Sequence, residues 1–263
     1  KDTAAAHGLE IAALSCHGNP VHPQKELADG FHQDYVNTVL LAEKLGVNRV
    51  VTFSGCPGDH PGARYPNWVT CPWPDDFGKI LEYQWNEVLI PYWDKTAAFS
   101  LEHGVDKIAL EMHPGFCVYN PETLLRLRAA TSPVVGANLD PSHLFWQGID
   151  PVAAIRLLRD AIHYFHAKDT KIDEINSAQN GVLDTKHYGD EIHRGWLFRT
   201  IGYGHGFQVW NDIFSNLRMV GYDDVVSIEH EDSLMSVNEG LQKAIAFLKQ
   251  AIPFEQTGGM WWA

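Results

Sequence analysis

An α/β fold built on a parallel sheet, a (β/α)8 barrel whose first two units are absent from the chain, is the class this sequence predicts. Three observations carry it. Six short, nearly continuous apolar runs suit parallel strands buried on both faces. Stretches with helix signals separate them, and β-then-α units in series give parallel sheets. Metal-seeking side chains gather where four of these runs stop, and barrels concentrate their chemistry at the carboxyl ends of strands. An open doubly wound sheet is the competing arrangement, but the sequence holds no G-x-G-x-x-G phosphate loop.

The opening KDTAAAHG reads as the tail of a helix closing on Gly8, a common position just past a helix end. Strands are expected at 9–16, 48–55, 107–113, 134–140, 162–167 and 224–230. A helix over 33–45 places Val36, Val39 and Leu40 on one face and stops at Gly46; another over 82–103 stops at Gly104. Asn120-Pro121 and Asp150-Pro151 each join an N-cap to a proline at the first helical position. Ser236-x-x-Glu239 forms a capping box opening a last helix over 237–251. Two connections are longer than turns. Residues 55–80 hold five prolines and two tryptophans, and residues 169–206 are rich in His and Arg. Both follow strands at the expected active face, so both are expected to shape a pocket. Residues 1–263 thus read as a single barrel domain, N-terminally incomplete. Six strands cannot close an eight-stranded barrel, so about 50 further residues with two strand–helix units are expected upstream.

With 45% hydrophobic and 20% charged residues, the composition is that of an ordinary globular protein. Thirty-three acids against 20 bases give a net charge of −13, which repels polyanions and argues against nucleic acid as a partner. No apolar run reaches transmembrane length, so no membrane partner is expected. Cys16, Cys56, Cys71 and Cys117 form no C-x-x-C pair and fit free thiols in a reducing cytoplasm.

Side chains two apart along a strand share a face. Glu111 and His113 therefore point one way together, as do His166 and Lys168, and Glu229 and Glu231; Asp140 with His143 supplies a fourth cluster. Each residue taken singly fits a helix cap, a surface pair or a satisfied core histidine. Burying Glu111, Asp140 and Glu229 together is a different matter, because it is prohibitive without a cation. Three carboxylates and an imidazole make a mostly hard-oxygen site, which favours Mn²⁺ or Mg²⁺ and admits Co²⁺ or Zn²⁺. His17, His143, Lys168, Asp169 and Arg199 are candidates for holding hydroxyls or a phosphate, and Trp68 and Trp73 for a flat wall against a ring. Each is equally open to a packing or surface role.

The ordered set Glu111, Asp140-x-x-His143, His166-x-Lys168-Asp169 and Ile228-Glu229-His230-Glu231 resembles the xylose-isomerase-like sugar phosphate isomerase/epimerase superfamily. That superfamily of TIM barrels includes ketose 3-epimerases and inosose dehydratase and shares its fold with AP endonuclease family 2. The resemblance runs from the strand before His17 to the last helix. It implies metal ligands at Glu111, Asp140, His166 and Glu229, a substrate contact at His143, and Glu111 and Glu229 as the acid/base pair. His113 departs from that scheme, as either a separate base or a partner orienting a ligand. The phrases EMHPGF and DPSHLFW resemble catalytic subunits of C-glycoside deglycosidases, which expel an aglycone from a 3-oxo-glycoside. The implied function is a cytoplasmic sugar isomerase/epimerase dependent on a divalent metal, Mn²⁺ first, acting by proton abstraction α to a carbonyl. A lyase of the deglycosidase type is the alternative, and an AP endonuclease-like phosphodiesterase a more distant one. A homo-oligomer or a smaller partner subunit is also open.

Overall fold

The computed structural model describes residues 1–256, 258–260 and 262. Six strands form one parallel sheet: β1 (Leu14–Ser15), β2 (Arg49–Thr52), β3 (Lys107–Glu111), β4 (Val135–Leu139), β5 (Ile162–Ala167) and β8 (Val226–Ile228). They lie in the order β1-β2-β3-β4-β5-β8, so β1 and β8 are the edges. All six coincide with predicted runs. Between β5 and β8 the chain makes an antiparallel pair, β6 (Asp169–Ile172) with β7 (Trp196–Arg199), with helix α8 (Glu174–Asn180) between them. The stretch 169–206 is thus a structured excursion. The alternation of WLFR spans too few residues to announce a strand.

Alternation sorts the strand side chains. Ile108 and Leu110 of β3, Val135, Ala137 and Leu139 of β4, and Phe165 and Ala167 of β5 turn outward into the main apolar core. There they meet Val39 of α2 (Lys25–Leu45), Trp93 of α4 (Ile90–Glu102), Leu124 and Leu127 of α5 (Pro121–Ala130), and Ile155 of α7 (Pro151–Leu158). A fully buried side chain of this kind contributes roughly 1.5–3 kcal/mol. The alternate residues Val51, Ala109 and Tyr164 form a separate small cluster with Ala12 and Ala13. β4 and β5 shift register between Ala137 and Asn138, which makes His163 an extra residue in β5. Its ring occupies the space of a side chain at position 136: a Cβ on Gly136 would sit 2.5 Å from it.

The helix starting at 33 begins in fact at Lys25; its first turns bury nothing, so no apolar stripe marks them. The stretch 82–103 is three segments, α3 (Asp76–Tyr83), a π-helical turn (Gln84–Leu89) and α4. Pro91 has no N–H to donate, and a wider turn just before it accommodates the loss. The short opening helix α1 (Asp2–Ala6) leads to Gly8 at φ +66. Asn120 caps α5 reciprocally with Thr123, and Ser236 caps the last helix (Val237–Ala251) by accepting from the Glu239 N–H. All four cysteines are free. No described helix is long and apolar enough to cross a membrane.

Candidate active site

Glu111 ends β3, Asp140 follows β4, His166 lies near the end of β5 and Glu229 follows β8. Parallel neighbours in register bring these positions to one level, with Glu111 opposite Asn138 and His166 opposite Ser227. One ligand atom from each of Glu111, Asp140, His166 and Glu229 lies within 4.8 Å of the other three. His166 Nδ1 stands 2.9 Å from Glu229 Oε2 and 3.4 Å from Glu111 Oε2. His143, on the short helix α6 (Pro141–Phe145), donates from Nε2 to Glu111 Oε1 at 2.9 Å. Asp140 caps that same helix, its Oδ1 accepting from the Ser142 N–H. Lys168 Nζ reaches Glu229 at 2.8 Å and both Asp140 and Glu231 at 3.0 Å.

Burial would raise the carboxylates' pKa values, but their partners differ. Hydrogen bonds from His143 and His166 override burial at Glu111, holding it well below the usual range. Glu229 is drawn down to about 2, again against burial, chiefly by His166. Asp140 goes the other way: burial raises it, and the attraction of Lys168 does not offset that. Burial would lower His166, yet the two glutamates push it up to about 10. Lys168 is likewise raised against burial by the surrounding acids.

These residues fit a divalent cation. Asp140 Oδ2 and Glu229 Oε2 are buried and accept no hydrogen bond of good geometry, although Lys168 is close to both. His166 Nδ1 is frustrated, since it cannot donate to Glu229 while accepting from Asn138 Nδ2 at 3.1 Å. A cation at that nitrogen relieves the conflict and neutralises the acids, at the cost of the imidazole's proton.

The other expected site residues divide. His17 is near the cluster, with Nε2 3.9 Å from Glu111 Oε2 and its ring against Phe53. His113 is half-buried, 4.2 Å, ring to ring, from His143. Its Nδ1 lies 2.6 Å from the Pro114 carbonyl, which can only accept, so that nitrogen carries the proton and Nε2 keeps a free lone pair. Burial, then His143, depresses His113 to about 3 and keeps it neutral. Trp68 lines a cavity beside His113 and His143. Asp169 turns away from the cluster: it accepts from the backbone N–H groups of Thr170, Gly202, Gly204 and His205, from the His205 ring and from the Trp210 indole. Arg199 donates from Nε to Asp232, and Trp73 is 74% exposed. Sequence reasoning passed over Asn138, which links Glu111 to His166, and Phe198, whose ring contacts both Lys168 and His143. The period-2 alternation of β4 puts Asn138 on the face of Asp140 and was the available signal; β7 had none.

A parallel barrel sheet with buried acids and imidazoles at its carboxyl end is the layout of a TIM-barrel enzyme. The chain belongs to the xylose isomerase-like TIM barrel family, whose model matches residues 1–251. It is 45% identical over 247 residues to YfiH of Bacillus subtilis (strain 168), described as an uncharacterized protein, covering 93% of this chain and 78% of that one. It is 27% identical over 154 residues to an inosose dehydratase of Geobacillus kaustophilus, covering 58% and 47% of the two chains. The crystal structure of a D-tagatose 3-epimerase-like protein superposes with a TM-score of 0.63 at 19% identity, over 95% of this chain and 79% of that one. That last likeness concerns the fold alone.

Proposed function

We propose that the protein is a divalent-metal-dependent sugar isomerase or epimerase that abstracts a proton α to a carbonyl. One observation carries the reading: four donor atoms from the ends of four neighbouring strands lie within 4.8 Å of each other. Glu111, Asp140, His166 and Glu229 hold the ion, Mn²⁺ first and Mg²⁺, Co²⁺ or Zn²⁺ after it. When bound, it supplies Lewis-acid polarisation of the substrate carbonyl. Glu111 and Glu229 exchange the proton with the sugar carbon. Lys168 adds positive charge beside Asp140 and Glu229, and His143 fixes the orientation of Glu111. His17 stands at the rim, placed to contact a hydroxyl.

A second reading, elimination of a β-substituent, is favoured by the position of His113, whose Nδ1 is engaged by the Pro114 carbonyl so that its Nε2 lone pair is free and lies outside the ligand set. The two readings share their first step. In D₂O with Mn²⁺, ketoses, ketose phosphates and 3-oxo-glycosides are offered side by side. Deuterium beside the carbonyl of recovered sugar supports isomerase or epimerase chemistry, and release of a substituent supports elimination. Neither exchange nor release with any of them overturns the proton-abstraction reading.

A further inference from the structure

In β5, Ile162, Phe165 and Ala167 all join the main apolar core outside the sheet. Ile162 and Phe165 are an odd number of residues apart, a spacing that an unbroken strand cannot place on one face. His163 supplies the break. Ala137 pairs with Ile162 and Asn138 with Tyr164, so two residues of β5 span one step of β4. A bulge of this kind resets the face that every later residue of the strand shows. Tyr164 turns inward beside Val51 and Ala109, and His166 and Lys168 follow it to the acids. Were β5 continuous from Ile162 onward, Phe165 and Ala167 would point into the barrel and His166 into the apolar core.

An extra residue disrupts the ladder, so a bulge needs something to fix it. Here the fixing group is the His163 ring, which is buried and lies where a side chain at position 136 would be. A Cβ on Gly136 would meet that ring at 2.5 Å and the Ala161 carbonyl at 2.6 Å, so the position has room for hydrogen only. Across this gap, His163 Nδ1 lies 3.3 Å from the Ile108 carbonyl of β3. A carbonyl can only accept, so Nδ1 donates. The ring thus starts on β5, passes over β4 and ends on β3. Burial first, then the charge of Arg128, lowers its pKa to about 4, which keeps it neutral.

We propose that His163 is a positioning residue for the metal site: seated over Gly136 and bonded to the Ile108 carbonyl, it locks the bulge that turns His166 toward Glu111 and Glu229. This rests on the metal-dependent reading for what His166 does, and on the strand geometry alone for where His166 stands.

The test compares wild type with His163→Ala, which removes the ring, and with His163→Asn, whose amide N–H can reach a carbonyl from nearly the place of Nδ1. Mn²⁺ is titrated into each whole, metal-free chain and followed by electron paramagnetic resonance. His163→Ala should bind Mn²⁺ at least about tenfold more weakly, the usual scale for losing a group that orients a metal ligand. It should also lose the nitrogen hyperfine coupling that pulsed measurements detect when an imidazole binds Mn²⁺. His163→Asn should stay within about threefold of wild type and keep the coupling. If His163→Ala does not fold, His163→Leu, which fills the space but cannot donate, takes its place. Wild-type affinity and coupling without the ring, even with stability lost in urea, overturn the proposal. So does an equal loss in His163→Asn and His163→Ala, because a donor at that place would then not be what holds the bulge. A wild type that binds no Mn²⁺ overturns the metal reading instead. Crystal structures of metal-free wild type and His163→Ala then decide the positioning, which stands if His166 leaves Glu229 in the variant and falls if it stays.

Discussion

The two ends of the barrel both bury charge, yet they do so differently. At the amino end, Arg49 opens β2 and pairs with Asp224, which just precedes β8; it also donates to the Ala12 carbonyl and lies 5.1 Å from the Tyr164 ring centre. Lys107 Nζ adds a second cation 3.6 Å from Asp224, and only Arg49 Nε among these groups is left over. At the carboxyl end, three carboxylates, an imidazole and an ammonium crowd together, two carboxylate oxygens accept no hydrogen bond, and one nitrogen is asked to donate and accept at once. Burial of charge therefore does not by itself mark the proposed active face. Incomplete pairing does, because a fold that needed only stability would satisfy those groups internally.

The sharpest way to break the comparison is Glu229→Gln. The amide keeps the shape and removes the charge, so Mn²⁺ affinity should fall and kcat/KM should drop by about 10³-fold, within the range for loss of a catalytic proton acceptor. Steady-state kinetics together with Mn²⁺ titration by electron paramagnetic resonance decide it. Wild-type turnover at saturating Mn²⁺ would put the carboxyl end on the same footing as the amino end.

Lys168 and Asp169 bring the contrast down to adjacent residues. The first faces the acid cluster, while the second serves the chain's own backbone and holds the turn after β7 against β6. Asp169→Asn should therefore cost about 2–4 kcal/mol of stability, since an amide cannot accept from so many donors. Urea unfolding measures this. A raised KM with unchanged stability would instead return Asp169 to the substrate.

How much of this was legible follows from the range of each signal. The six sheet strands and the gathering of acids and imidazoles at the ends of four runs were readable, because strand alternation and parallel register act over a few residues and repeat along the chain; the choice of Glu111, Asp140, His166 and Glu229 as one set came from the family resemblance, and their donor atoms do lie together. The opposed roles of Lys168 and Asp169 were not. Adjacent residues in extended backbone point to opposite faces, but which partners fill the far face depends on Gly202–His205, more than thirty residues away. Phe198 escaped for a similar reason, as its importance lies in which rings it stacks on and nothing local announces it. The Arg49–Asp224 pair joins positions 175 apart in sequence, beyond any pattern in the residues themselves.

That pair offers a gentler test. Asp224→Asn leaves the guanidinium of Arg49, buried to all but 4%, short of its counter-charge. A fully buried pair broken in this way costs about 3–5 kcal/mol; Asp224 is partly exposed, so about 2 kcal/mol is expected. Because the change lies at the amino end, kcat and Mn²⁺ affinity should stay within about twofold of wild type. A loss of turnover without loss of stability would mean the two ends are coupled.

The smallest effect is the pH dependence of the same pair, and its sign is fixed. Burial would raise the Asp224 pKa, but the hydrogen bonds from Arg49 prevail and leave it below the ordinary aspartate value. A depressed folded-state pKa contributes stability that is fully present above the unfolded value, about 3.9, and is lost as pH falls through the lower folded value. Between neutrality and about pH 5, wild type and Asp224→Asn should then differ by a constant amount in urea unfolding. Below about pH 4 the gap should narrow, since wild type alone must protonate this carboxyl as it unfolds while the asparagine has nothing to titrate. A gap that widens in acid would show that Asp224 is held protonated in the folded chain, and the amino end would then carry an unpaired arginine of its own.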